Sequence, residues 1–453
     1  MRKTILSITD FRTLATIMQH KRISTTHACS WLLLILFVAA GMCPAEAEPW
    51  ARHVVDDSSD GADGVRLLDV NGDGRLDCCT PWEEGGLIRV YLNPGPRKCR
   101  EPWPAVTVGK VASPEDAVFC DVDGDGCVDV VSCCEGKDRS VYVHWAPKDR
   151  ESYLDGQAWR TDAVRCVQGK QMWMFCVPMD VDGKNGVDLV VGSKKKGGSI
   201  GWLESPPNAR DMAAWRFHSL SPAGWIMSLE TVDMDSDGDL DVLLSDRKGK
   251  MRGVRWIENP GPVAASGQPW KNHFVGGRKH TVMFLDVGDV DGDGVHEIVA
   301  ATRNGRILLL RRNLSTTGEW HTVEIDNPFG CPSGKAVRVA DVNLDGRMDL
   351  VHTSNKHKPS EYPAVSWLDL KSLSADRVEV ATHDIGGREG IKFDLIQMID
   401  LDGDGDLDLL TCEERDDLGV VWYENPTRGP ASPSAGPEAQ EAEKRRPLGK
   451  PGP

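Results

Sequence analysis

The chain has 453 residues, of which 40% are hydrophobic and 27% charged, with a formal net charge of −16. It holds no P-loop and no HExxH, so the nucleotide-binding and zinc-protease signatures those motifs carry are absent. The acidity is concentrated: seven nine-residue loops hold 27 of the 69 Asp and Glu, leaving 42 against 53 Lys and Arg.

Residues 1–47 read as a signal peptide. Arg2, Lys3, Arg12, Lys21 and Arg22 supply positive charge, Trp31 to Ala40 is a ten-residue apolar stretch, and Ala45-Glu46-Ala47 is a cleavage site. The apolar stretch is short for a membrane span, which needs about twenty residues. The charged region is long enough that translation from Met18 is an alternative. Cys43 invites a lipoprotein reading, but Met42 before it fits poorly. The expected destination is secreted, periplasmic or cell-surface, where calcium is plentiful.

From residue 69 onward one acidic loop returns seven times. The copies are Asp69 to Asp77, Asp121 to Asp129, Asp180 to Asp188, Asp233 to Asp241, Asp289 to Glu297, Asp341 to Asp349 and Asp400 to Asp408. Their starts lie 52, 59, 53, 56, 52 and 59 residues apart. A regular period of this size marks stacked or radial repeats. Calcium wants six to eight oxygens, and aspartates at positions 1, 3 and 5 of a tight turn, with a carboxylate at position 9, provide them; a glycine at position 6 permits the turn. The predicted ligands are Asp69, Asn71, Asp73 and Asp77; Asp121, Asp123, Asp125 and Asp129; and Asp233, Asp235, Asp237 and Asp241. The later loops offer Asp289, Asp291, Asp293 and Glu297; Asp341, Asn343, Asp345 and Asp349; and Asp400, Asp402, Asp404 and Asp408. Asn71 and Asn343 are neutral oxygen donors and should weaken their sites. The third loop places Lys184 at position 5, with Gly186 one residue late, so a lysine bridge to Asp180, Asp182 and Asp188 is expected there. That leaves about six Ca2+ sites.

Each loop leads into a strand-like rather than a helical segment: Val187 to Val191, Leu240 to Leu244 and Leu407 to Thr411 are short β-branched or aliphatic runs. A further strand ends in a near-repeated phrase, VYLNPG, GWLESP, RWIENPG or VWYENP, and another opens on Trp103, Trp159, Trp215, Trp270 or Trp320. With the strand leading into the loop, each repeat holds four short strands, the unit of a β-propeller.

These D-x-[DN]-x-D-G-x-x-D loops and strand phrases, over roughly residues 50 to 426, resemble the FG-GAP or VCBS repeat propellers, which are related to the integrin α-subunit head. The resemblance implies an all-β, seven-bladed β-propeller with integrin-like calcium loops, spanning 48–426. It is specific for fold and poor evidence for activity, since the family mixes adhesins, surface proteins and accessory domains of enzymes. Residues 50–56 precede the first loop, and the last repeat lacks a fourth strand, so this N-terminal segment is expected to complete blade seven. Residues 427–453 are rich in Pro, Gly, Ala, Glu and Lys and read as a disordered tail.

Export would leave eleven cysteines, whose pairing cannot be read from sequence. The top links of blades three to six are basic: Lys194, Lys195 and Lys196; Arg247, Lys248, Lys250 and Arg252; Arg303 and Arg306; Lys356, His357 and Lys358. Arg278, Lys279 and His280 adjoin them. Periodic tryptophans suit blade packing, whereas Trp82, Trp173 and Trp225 fall outside the register and can stack on sugars or fill gaps. The expected function is therefore a binding, cell-adhesion or scaffold module for acidic polysaccharide or a protein partner. Ligand-binding candidates are Lys195, Lys248, Lys279, His280, Trp173 and Trp225, with solvated loops as the bland alternative. The rival reading is a polysaccharide lyase or phosphate-ester hydrolase using His280, Lys279, His357 and Tyr362. Nucleic acid is not expected, since no base-stacking aromatic pattern is present.

Overall fold

The computed structural model describes residues 48–265, 270–312, 320–356, 362–374 and 377–429. The expected signal peptide and all but the first three residues of the expected tail lie outside these, as do His357 and Lys358. The described residues contain seven four-stranded antiparallel sheets and, besides them, two three-residue 3-10 turns.

Each sheet is a blade in which consecutive strands are neighbours, here called inner, second, third and outer. Blade one spans 66–110, blade two 114–163, blade three 172–222 and blade four 226–276. Blades five and six span 282–326 and 334–384. The seventh takes its first three strands from 393–424 and its outer strand from Ala51–Asp56, which pairs antiparallel with Gly419–Glu424. The propeller expected from the repeats is thus the observed fold, and the N-terminal segment closes it as the missing strand implied.

The burial pattern explains the sequence. Second strands are covered on both faces by neighbouring blades, so Asp77–Trp82, Asp129–Cys134, Asp188–Lys194 and Asp241–Asp246 are buried along their whole length. They read as continuous apolar runs for that reason. Outer strands such as Trp320–Asp326 alternate buried and exposed positions, as a half-solvated strand should. Apolar clusters straddle adjacent blades: Val118, Val131 and Val143 of blade two pack with Cys176, Leu189 and Val191 of blade three. Each fully buried aliphatic side chain of this kind contributes about 1.5–3 kcal/mol.

The periodic tryptophans are packing residues. Trp202, Trp256 and Trp367 of the third strands stack on His218, His273 and His383 of the outer strands, with ring centroids 4.0–4.5 Å apart. The indole N–H groups of Trp103, Trp159, Trp215 and Trp270 donate to Cys99, Tyr153, Ala209 and Ala265 carbonyls in the preceding links. All eleven described cysteines are free thiols, nine of them buried.

One irregularity recurs. In blades two to seven the inner strand has a β-bulge against the second strand, between Pro114 and Asp116, Trp173 and Phe175, and Ile226 and Ser228. The remaining bulges fall between Val282 and Leu285, Gly334 and Val337, and Phe393 and Ile396. A bulge adds one residue and re-aims its neighbours. Here it turns side chains at one end of each of these six blades toward the channel.

The closing strand carries an edge that would otherwise stand open, and Asp56 anchors it to blade one through Arg89 and the Tyr91 hydroxyl (2.9 Å). A chain lacking residues 49–56 is expected to melt lower by roughly 5 °C or more and to aggregate on heating. Differential scanning calorimetry checks this, and an unchanged melt would show that the ring does not need this strand.

Candidate functional sites at the two ends of the ring

The acidic loops join inner to second strands and so cluster at one end of the ring. Their first aspartates fold the turn by accepting backbone N–H groups. Asp69 accepts from Gly72, Asp73 and Gly74 at 2.8–3.1 Å, and Asp121, Asp289 and Asp341 accept from positions 5 and 6 of their own loops. The position-6 glycines sit at φ between 84° and 98° in all but the altered third loop, where Gly186 takes that conformation at 94°.

The ninth-position carboxylate is buried and holds the blade together. Asp129 accepts the Val122 N–H (3.1 Å) and the Ala146 N–H (2.8 Å), tying the loop to the end of the third strand. Asp77, Asp188, Asp241 and Asp408 do the same. Glu297 accepts from Val290 and has Arg311 3.9 Å away. Burial pushes Asp129 and Asp188 up to about 7 and Asp408 up to about 8. A cation beside them would offset that cost.

The donor sets fit a divalent ion. In the second, third and fourth loops the carboxylates at positions 1, 3 and 9 bring one oxygen each within 4.8 Å of the others: Asp121, Asp123 and Asp129; Asp180, Asp182 and Asp188; Asp233, Asp235 and Asp241. Several acidic clusters can therefore hold metal. The other predicted ligands occupy equivalent loop positions. Asn71 and Asn343 each accept the position-5 N–H at 2.9 Å. Lys184 pairs with Asp182 at 2.8 Å, while both oxygens of Asp188 accept N–H groups and Asp180 accepts only from Gly183. The lysine therefore bridges to one of the three aspartates.

Five of the seven loops are also gripped by the blade that follows them. Arg150 donates to the Asn71 carbonyl, Arg210 pairs with Asp123 and Asp125, and Arg312 donates to the Met234 carbonyl. Asn425 donates to the Val342 carbonyl and Arg100 pairs with Asp402. The loops are thus joints between blades as well as ligand sets.

At the opposite end the channel opens into a cavity of about 260 Å³. Its wall is a ring with one residue from each blade, the first beyond the pair that anchors the bulge. These are Glu83, Glu135, Lys194, Arg247, Arg303, Asn355 and Glu414. Below it the bulges supply Glu115, Met174, Met227, Phe284, Lys335 and Asp394, with Asp63 from blade one. The mouth is therefore not uniformly basic, as the links of blades three to six alone suggested. Blades seven, one and two contribute carboxylates. Sequence reading missed them because no motif marks them; the signal is a register position, one residue past the second strand.

Most of these charges are paired. Lys194 lies between Glu115 (2.8 Å) and Glu135, and Lys335 and Lys392 flank Asp394. Burial pushes Glu115 up to about 7. Burial and the neighbouring Asp394 carboxylate push Asp63 well above the usual range, and Lys335 and Lys392 hold Asp394 below it.

Trp225 is the centre of the cationic side. The Arg247 guanidinium lies 3.8 Å from its ring centroid, with Lys248 Nζ at 4.3 Å and Lys194 Nζ at 4.6 Å. Its backbone is fixed by Asp246, which accepts the Gly224 and Trp225 N–H groups at 2.9 and 2.8 Å. Lys195 and Lys248 are exposed beside it, and Lys279 is exposed on blade five's entry.

The remaining candidates lie elsewhere. Trp173 is completely buried between blades, donates to the Val167 carbonyl and packs edge-on against Phe217, so its ring is not available to a sugar. Trp82 is equally buried. Arg306 pairs with Asp326, and Lys356 donates to the Tyr362 and Arg388 carbonyls. His280 pairs with Glu324 of an outer strand at 3.1 Å and does not line the cavity. It and Lys279 therefore do not converge on the channel, and His357 falls outside the described residues.

A family model for FG-GAP-like repeats matches residues 69–132 and 253–352. No curated protein matches the chain. Among solved structures, that of BBS1N in complex with ARL6DN, soaked with mercury, covers 83% of this chain and 96% of its own, at 10% identity and a TM-score of 0.47. No helix among the described residues is long and apolar enough to cross a membrane. Folds of this kind serve in general as binding or scaffold modules. The chain is a seven-bladed β-propeller that carries FG-GAP-like repeats.

Proposed function

We propose that this protein is an exported, calcium-stabilised propeller that binds an acidic polysaccharide or an acidic protein surface over the cationic sector of its channel-mouth end. The observation that carries the reading is the cluster of Lys194, Arg247 and Lys248 around Trp225, continued outward by exposed Lys195, Lys196 and Lys279. Like charges gathered on one side of a rim raise the local concentration of a polyanion and steer its approach. The opposite sector carries its own carboxylates, so the ligand's negative charge is directed to blades three to five.

Calcium belongs to the other end. Six loops would each hold one ion through positions 1, 3, 5 and 9, and in the third loop Lys184 would take part of that role. Bound ions would neutralise the buried ninth-position carboxylates and stiffen the joints between blades. An enzymatic reading has less support. His280 is committed to Glu324 and stands away from the cavity, and a general acid or base must reach the substrate.

Two measurements test this reading. EDTA is expected to lower the melting temperature sharply, with recovery on adding Ca2+ but not on adding NaCl; an unchanged melt would remove calcium from the account. The triple variant Lys195→Glu, Lys248→Glu and Lys279→Glu should elute from heparin or polygalacturonate at clearly lower salt than the parent. Equal retention would reject the cationic sector as the binding face.

A further inference from the structure

Among the cations of the channel mouth, two stand apart. Lys194, Lys335 and Lys392 all have carboxylate partners within 4 Å, and so does Arg415. Arg247 and Arg303 have none among the described residues. Arg247 is half-buried, its Nε is enclosed without a hydrogen-bond partner, and its Nη1 reaches only the Met227 sulfur at 3.8 Å. Leaving a charged donor buried and unpaired is costly, and a protein normally pairs it. Burial, with the neighbouring Arg303 charge, pushes the Arg247 guanidinium down to about 10, and Lys248 is pushed down by burial and by both arginines. The three cations therefore destabilise one another where they stand.

The fold nevertheless builds this arrangement firmly. The Arg247 N–H donates to the Trp225 carbonyl at 2.9 Å, and the Arg303 N–H donates to the Thr281 carbonyl at 3.0 Å. Both arginines thus leave the second strands at equivalent points of adjacent blades. Trp225 holds the Arg247 guanidinium against its ring by a cation–π contact. Beneath them the bulges of blades three to five place Met174, Phe175, Met227 and Phe284 in the lining, where the other blades place acids and lysines. One side of the mouth is cationic over an apolar floor.

We propose that this sector is a binding site for a small organic anion, whose carboxylate, phosphate or sulfate lies between Arg247 and Arg303 while its apolar body rests on Met174, Phe175, Met227 and Phe284. The guanidinium supplies fixed, planar donors matched to an oxyanion. The cavity is smaller than the pockets that take drug-sized ligands, so the occupant is of single-residue or single-sugar size. This site lies inside the mouth and shares only Arg247 with the rim cluster; Arg303 and the apolar floor are its own, so the two readings are tested by different variants.

Isothermal titration calorimetry on the full, calcium-loaded chain tests it, with phenyl phosphate and benzoate as probes, and inorganic sulfate and benzamidine as controls. Phenyl phosphate or benzoate should bind one per chain, sulfate more weakly for want of an apolar body, and benzamidine not at all. Arg247→Gln and Arg303→Gln should each weaken the anion about tenfold or more, the scale of a lost charged hydrogen bond, whereas Lys110→Gln, exposed at the end of blade one's outer strand and outside the cavity lining, should not. No binding of either aromatic anion, or equal weakening by Lys110→Gln, would overturn the proposal. Phenylglyoxal labelling of the unaltered protein gives a reading that no folding defect can confuse: the anion should protect Arg247 and Arg303, and undiminished labelling of both overturns the site. Unchanged heparin retention by the Lys195, Lys248 and Lys279 triple variant, with anion binding intact, would sink the rim reading alone.

Discussion

The ninth carboxylate of each acidic loop is the contact on which the ring depends. It is buried, and in five blades it accepts one N–H from the second residue of its own loop and one from the residue just past the third strand. One side chain therefore joins the inner, second and third strands of a blade at the same end. A sheet of four short strands has little stability alone, and it gains by burying both faces against its neighbours. That burial requires the strand ends to be held in register, which the carboxylate does at each blade. Its cost is a charge out of water, and a divalent ion in the same loop is the natural means of offsetting it.

The same loops explain how blades stay together. Arg150, Arg210, Arg312, Asn425 and Arg100 each reach back from one blade to the loop of the preceding one, the last across the point where the ring closes. An ion held by such a loop would thereby be coupled to blade packing, since a loop that loosens also loses its neighbour's grip. The third loop is the informative exception. Lys184 pairs with Asp182 from the exposed side, and the ninth-position Asp188 keeps both its N–H partners. The architectural role of position 9 survives there although the pattern at positions 5 and 6 is altered.

The fold was legible because its determinants repeat. Seven loops at regular spacing, aliphatic runs buried on both faces and tryptophans opening the outer strands are local features with one structural solution. The absence of a fourth strand after Glu424 pointed to Ala51–Asp56 for the same reason. The mouth was only half legible. Runs such as Lys194 to Lys196 stand out in a sequence, whereas Glu83, Glu135 and Glu414 are single residues whose shared position appears only once the strands are in register. The bulges that aim Glu115 and Asp394 inward have no consistent residue type, because a bulge is set by pairing rather than by composition. Trp173 and Trp225 make the point from the other direction. Both fall outside the tryptophan period, yet one fills a gap between blades and the other gathers three cations, and sequence alone gives them the same description.

The two ends of the ring are therefore built under different constraints. At the loop end each blade must present nearly the same residues, because each needs the same turn, the same buried carboxylate and the same joint. At the mouth every blade contributes a residue from the same backbone position, but the identity of that residue is free: glutamate in blades one, two and seven, lysine in three, arginine in four and five, asparagine in six. The bulge makes this freedom possible by turning the side chain into the channel without disturbing the ladder beyond it. Where that freedom has placed acids and lysines, they neutralise one another and close the wall. Where it has placed Arg247 and Arg303 over methionine and phenylalanine, the charges find no partner within the wall. An arrangement that a single glutamate at either position would relieve, and that three bulges support from below, is best understood as a surface whose complement comes from outside the chain.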